Sequence, residues 1–159
     1  MNVIAVTGSV ASGKTTVAKA LAKKLKFEYV DVNKLISKNK LKECYDKKKK
    51  CHVVDVKKLV KVLVNYIKKS KKNLVIDSHF SHYLPKEYVD YCVVTKCGLL
   101  DLKSRLTKRK YSDEKIKENL DVEVFDSLFM DASERGHNVV GVDTSKLINI
   151  SEMIELMGY

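Results

Sequence analysis

Residues 8–15 read Gly-Ser-Val-Ala-Ser-Gly-Lys-Thr, a loop bounded by glycines and closed by a lysine and a hydroxyl. This spacing suits phosphate. Gly8 and Gly13 let the backbone turn tightly, so that N–H groups along Ser9, Val10, Ala11 and Ser12 converge on an anion. Lys14 reaches the β- and γ-phosphates of a nucleoside triphosphate, and the Thr15 hydroxyl is placed to bind Mg²⁺. Thr16 opens the helix that follows, whose N-terminal dipole favours the same negative charge. Asp77 ends the apolar run Leu74-Val75-Ile76, where a carboxylate can hold Mg²⁺ beside the loop or simply cap the next turn. His79, two residues on, can position a water or an attacking oxygen, or be an ordinary loop histidine like nearby His82. Arg105 and Arg109 lie four apart, on one face of a predicted helix. Two guanidinium groups there can clamp a transferring phosphoryl group, or merely share a solvated basic face with Lys103, Lys108 and Lys110.

These groups need elements to bring them together. Val3-Ile4-Ala5-Val6 suits a buried strand, and Val17, Ala18, Leu21, Ala22 and Leu25 follow at helical spacing. Further strands are expected over 27–30, 74–77, 91–94 and 138–142, with helices over 33–39, 56–67, 99–108 and 152–157. Ser112 predicts an N-cap with Asp113 and Glu114 in the first turn. Ile116, Leu120, Val124, Leu128 and Ala132 then predict one long helix ended by Gly136. The segment between 39 and 51 reads as a polar stretch with no element assigned. Strands alternating with helices give a parallel sheet covered on both faces, and ligands bind beyond the C-terminal ends of such strands. Gly8–Thr15, Asp31, Asp77, His79, Thr95 and Thr144 all fall at that edge. Thr144, within Asp143-Thr144-Ser145, either lines an adenine pocket or sits in a plain turn.

Composition narrows the field. At 159 residues the chain suits one domain. No apolar run approaches a membrane span, and no signal peptide is recognisable, so a cytoplasmic protein without membrane contact is expected. Cys44, Cys51, Cys92 and Cys97 form no C-x-x-C pair, and Cys44, Cys51 and His52 match no zinc spacing. The net charge of +11 rests on lysine, since Arg105, Arg109 and Arg135 are the only arginines. Such charge attracts nucleotides and RNA without establishing either. A GTPase reading fails: Gly98 stands where Thr95-Lys96-x-Asp would be required, and Asp77-Ser78-His79-Phe80 is not D-x-x-G.

The phosphate loop, Val75-Ile76-Asp77-Ser78-His79, the block from Arg105 to Ser112, and Lys115-Ile116-Lys117-Glu118-Asn119-Leu120 with Glu123-Val124-Phe125 together resemble one group. This is the small adenylate-kinase-like family of the isoenzyme 6 type, found in archaea and eukaryotic nuclei and linked to small ribosomal subunit maturation. The resemblance implies a P-loop nucleoside monophosphate kinase fold: α/β, a parallel five-stranded sheet flanked by helices, and a short lid. It implies a single domain over residues 1–159, with a monophosphate-binding region about 31–63 and a lid about 109–113. It assigns Asp77 and His79 to ATP turnover, and Arg109 to adenine or phosphate. A small-subunit ribosomal protein and pre-ribosomal RNA are the implied partners beside ATP and AMP. Two departures stand out: Ser9-Val10-Ala11 replaces the family's Gly-Thr within the loop, and Arg109-Lys110-Tyr111 replaces Arg-Gly-Tyr in the lid.

The expected reaction is Mg²⁺-dependent transfer of the ATP γ-phosphoryl group to AMP. Lys14, Asp77, His79, Arg105 and Arg109 are the candidate catalytic residues, and Thr15 and Asp77 the metal ligands. Residues 8–16 with Arg109 and Thr144 are the candidate ATP contacts. Two alternatives remain: an assembly-factor ATPase with little AMP dependence, and a kinase for another small acceptor.

Overall fold

Every residue of Val3–Gly8 (β1) is buried, and its side chains alternate between two apolar layers. Val3 and Ala5 join Leu74, Ile76, Cys92 and Val94 on one face, packed against Leu59, Leu63, Ile67 and Ala132. Ile4 and Val6 join Val75 and Val93 on the other, packed against Val17, Leu21, Met153, Ile154 and Met157. The structure, a computed structural model, describes residues 1–46 and 51–159; for residues 43–46 and 51–52 it describes the backbone alone.

The sheet is parallel throughout. Glu28–Asp31 (β2), Leu74–Asp77 (β5), β1, Tyr91–Lys96 (β6) and Val139–Asp143 (β7) lie side by side in that order. Lys14–Leu25 (α1) and Ile150–Leu156 (α7) cover one face. Val56–Lys69 (α3) covers the other with Ser127–Glu134 (α6). Each fully buried aliphatic side chain in these layers contributes ~2 kcal/mol of transfer free energy. Val32–Lys38 (α2) is N-capped by Asp31, and Asp55 caps α3 in the same way.

The expected fold class is the observed one, with two local corrections. The stretch between 39 and 51, read as polar with no element assigned, contains Lys42–Asp46 (β3), which pairs antiparallel with Cys51–Val54 (β4). Main-chain pairing holds that ribbon without an alternating apolar pattern to announce it. The long helix expected from Ile116 to Ala132 is two, Asp113–Val124 (α5) and α6. Asp126 breaks it with a left-handed φ of 51°, held by Lys96, whose Nζ lies 2.6 Å from Oδ2. The stripe splits accordingly: Ile116 and Leu120 face one cluster, Leu128 and Ala132 another, and Val124 is exposed.

That additional cluster matters for the site. Ala11 and Cys97 pack with Leu102 and Leu106 of Leu99–Lys108 (α4) and with Ile116 of α5, beneath the loop after β1. Among the described residues no helix is long and apolar enough to cross a membrane, and no cluster suits a metal held by His, Cys, Asp and Glu alone. Cys92 and Cys97 are buried free thiols; the side chains of Cys44, Cys51 and His52 lie outside the described residues.

Candidate functional site

The loop from Gly8 to Thr15 leaves the central strand, between β5 and β6, where crossovers diverge and leave a crevice. Gly8 is there because nothing larger fits. A Cβ would fall 2.1 Å from Thr95 Oγ1 and 2.8 Å from the Thr95 carbonyl oxygen. Ser12 and Thr95 hydroxyls meet at 2.7 Å, and Thr95 donates onward to the Thr7 carbonyl. These buried hydroxyls pin the loop's floor to two strands. Thr144, just beyond β7, donates to the Ser12 carbonyl at 2.7 Å and closes the far side.

Lys14 folds back over the loop and donates to the Ser9 carbonyl at 2.7 Å. Burial pushes its ammonium down to about 8; Asp77 pulls the other way and the Arg109 charge adds to the depression. An ammonium held at a cost, with a carbonyl as partner, is prepared for a phosphate oxygen.

Asp77 closes β5 and is almost fully buried. Thr15 and Tyr29 hydroxyls both donate to its Oδ2, at 2.7 and 2.8 Å. Hydroxyl and carboxylate oxygens side by side at a phosphate loop are the hard donors that Mg²⁺ takes. The residues present therefore fit that ion. Desolvation and the Asp77 bond push the Tyr29 phenol up, keeping it a donor. The sequence does not single out Tyr29; its role depends on β2 lying beside β5, with Asp31 level with Asp77.

His79 sits just past Asp77 with its ring against Phe80, centroids 3.8 Å apart. Its edge remains open to solvent. Desolvation by the surrounding protein, then the Lys14 charge, lower its pKa, so the ring is neutral at pH 7. His82 is a separate matter, buried behind the strand with Nδ1 2.9 Å from Thr7 Oγ1.

The two arginines, expected as a pair, occupy different positions. Arg105 donates to Thr144 Oγ1 at 3.1 Å, to the Thr144 carbonyl at 2.8 Å and to the Ala11 carbonyl at 3.4 Å. It staples the β7 exit to the phosphate loop. Arg109 is exposed at the end of α4, close enough for its charge to act on Lys14. Only four residues, 109–112, separate α4 from α5, and Lys110 adopts φ 57° there. Ser112 caps α5 by accepting from the Lys115 N–H.

Two more residues grip the loop. Asn119 Oδ1 accepts from the Val10 N–H at 3.1 Å, and Glu123 Oε1 accepts from the Ser9 hydroxyl at 2.5 Å. Burial raises the Glu123 carboxyl above its ordinary range. Both fall in the block that carries the family resemblance, yet their spacing assigns no task. Their partners lie 109 and 114 residues away.

The comparisons agree with this geometry. A family model described as AAA domain matches residues 4–126. The Caenorhabditis elegans adenylate kinase isoenzyme 6 homolog is 36% identical over 131 residues, 82% of this chain and 72% of its own. A Thermococcus gammatolerans protein with a provisional adenylate kinase name is 36% identical over 159 residues, covering 98% and 85%. Shikimate kinase from Acinetobacter baumannii, solved with shikimate, shares the fold: TM-score 0.66 at 16% identity, over 99% of this chain and 93% of that one. A phosphate loop gripped by the helix after a four-residue turn, with relatives at this identity along most of their length, places the chain in the adenylate kinase isoenzyme 6 family of nucleotide kinases.

Proposed function

We propose that the protein transfers the γ-phosphoryl group of ATP, bound with Mg²⁺, to AMP, giving two ADP. The observation that carries this reading is the desolvated Lys14 ammonium within the field of Asp77, whose carboxylate is already paired with Thr15. Loop N–H groups and Lys14 bind the β- and γ-phosphates, and Thr15 and Asp77 would hold the metal. Bound there, Mg²⁺ would supply positive charge against the negative charge developing in the transfer. Arg109 brings its guanidinium to the phosphates from the turn at 109–113, which acts as the lid. Arg105 holds Thr144 and the loop in place, and residues 31–63 receive the monophosphate.

An AMP phosphate oxygen attacks the γ-phosphorus as the bond to the ADP oxygen breaks. The acceptor is an anion at neutral pH, with a second pKa about 6, so no strong base is required. His79, neutral, orients the attacking oxygen by a hydrogen bond. Catalysis is positioning and charge stabilisation, without a covalent enzyme intermediate.

A second reading follows from the same histidine. His79 is open to solvent beside the loop, so it can orient water instead and release free phosphate. The net charge of +11 supports an RNA-facing role for such an ATPase in small-subunit maturation. Pure protein given Mg²⁺ and ATP, with and without AMP, separates the readings when ADP and phosphate are measured independently. ADP that requires AMP and vanishes in Lys14→Ala establishes the kinase. Phosphate release indifferent to AMP overturns it.

A further inference from the structure

Consecutive residues of the phosphate loop are each held by the helical hairpin that carries the lid turn. Ser9 donates through its hydroxyl to Glu123, and Val10 donates its N–H to Asn119. Ala11 offers its carbonyl to Arg105 and its methyl to the cluster of Leu102, Leu106 and Ile116. Ala11 also carries a φ of 65°, a conformation an alanine does not keep unaided. The left-handed turn therefore depends on outside support, and that support comes from α4 and α5. Asn119 is itself fixed, donating its amide to the Lys115 carbonyl one turn back. Glu123 uses its second oxygen on the Cys97 N–H at 3.4 Å, which ties it to the end of β6.

We infer that Asn119 and Glu123 are positioning residues for nucleotide binding, holding Ser9 and Val10 so that the loop keeps the shape that receives the β- and γ-phosphates. The inference rests on the loop being the ATP site and needs no particular acceptor. Glu123 acts through the Ser9 hydroxyl, as a hydrogen-bond acceptor. Its charge is not what the task requires, since an anion close to the phosphates would repel them.

The test is equilibrium binding of MgATP by calorimetry, with thermal unfolding of each variant alongside. Ser9→Ala and Glu123→Ala are each expected to weaken ATP about tenfold, the worth of one good hydrogen bond. The double variant is expected to be no weaker than the worse single, because both changes remove the same bond. Glu123→Gln keeps an acceptor and is expected within about threefold of the parent. Asn119→Ala is expected to weaken ATP while leaving the melting temperature nearly unchanged. An unaltered ATP affinity in Glu123→Ala, additive losses in the double variant, or a Glu123→Gln as weak as the alanine would each overturn the inference. If Glu123→Ala fails to fold, Ser9→Ala against Glu123→Gln carries the comparison. Parent protein that binds ATP but ignores AMP would defeat the kinase reading and leave this one standing; parent protein that does not bind ATP defeats both.

Discussion

Lys14 sits where burial makes its ammonium easier to deprotonate, at about 8 against an ordinary value near 10.5. Bound triphosphate is expected to raise that value again by supplying an anion beside the ammonium. Above pH 8 the free protein has given up a proton that the complex keeps, so binding must take one up. ATP affinity is then expected to fall as pH rises from 8 toward 10, by at most about tenfold per pH unit. Titration calorimetry across that range checks it, and a flat affinity would remove the proton uptake. The sign for the free protein is opposite. Between 8 and 10.5 the unfolded chain holds more protons, so this lysine's contribution raises stability with pH. Gly8 gives a second expectation at the same scale. Gly8→Ala drives a methyl into Thr95 Oγ1 and a backbone carbonyl. It should cost about 3 kcal/mol in urea unfolding and abolish ATP binding. The loop, Asp77 and their shared edge were legible from spacing, because strand, glycine turn and helix are consecutive in the chain. Tyr29, Asn119 and Glu123 were not, because each meets its partner across 48 to 114 residues. Such contacts are set by strand order and helix placement, which no local pattern encodes.

Among the elements, the turn between α4 and α5 makes the clearest claim. Lys110 holds φ 57°, a left-handed conformation that glycine adopts more readily than lysine. Lys110→Gly should relieve that strain and raise stability by about 0.5–1 kcal/mol, less what glycine's added freedom in the unfolded chain takes back. A lower melting temperature would show that Lys110 makes a compensating contact. The helix pattern was legible up to Val124 and then misled, because five apolar positions at i, i+4 satisfy a single helix as well as two. What divides them is Asp126, held left-handed by a lysine from β6. The β3–β4 ribbon escaped for a related reason: Lys42-Glu43-Cys44-Tyr45-Asp46 has no apolar face to reveal it.

At the scale of the molecule, the sheet separates chemistry at one edge from support behind it, and His82 stands at the junction. It is buried, bonded to Thr7 just before the phosphate loop, and its backbone carbonyl accepts from His137 Nε2. Its Nε2 lies 3.2 Å from Asp131 Oδ2, too poorly aligned for a hydrogen bond, and Arg135 holds the other Asp131 oxygen. Burial lowers His82 to about 4, outweighing the pull of Asp131, with Arg135 and His137 adding to the depression. Between 6.5 and 4 the unfolded chain takes a proton that the folded one refuses, so stability is expected to fall as pH drops through that window. His79 contributes in the same direction, so urea unfolding of the parent and of His82→Gln at pH 7 and pH 4.5 separates the two; an equal pH dependence in both proteins would mean that the folded state accepts the proton on His82.

The Tyr29 bond has a consequence outside catalysis. The chain has eight tyrosines and no tryptophan, so the emission it gives on excitation at the phenol band comes from tyrosine. Tyr29 gives its proton toward the carboxylate that would take the metal. Any ion that draws Asp77 away must change how that phenol relaxes after excitation. With Mg²⁺ held by Thr15 and Asp77 as proposed, adding the ion is expected to change the tyrosine emission, and Tyr29→Phe is expected to remove that response.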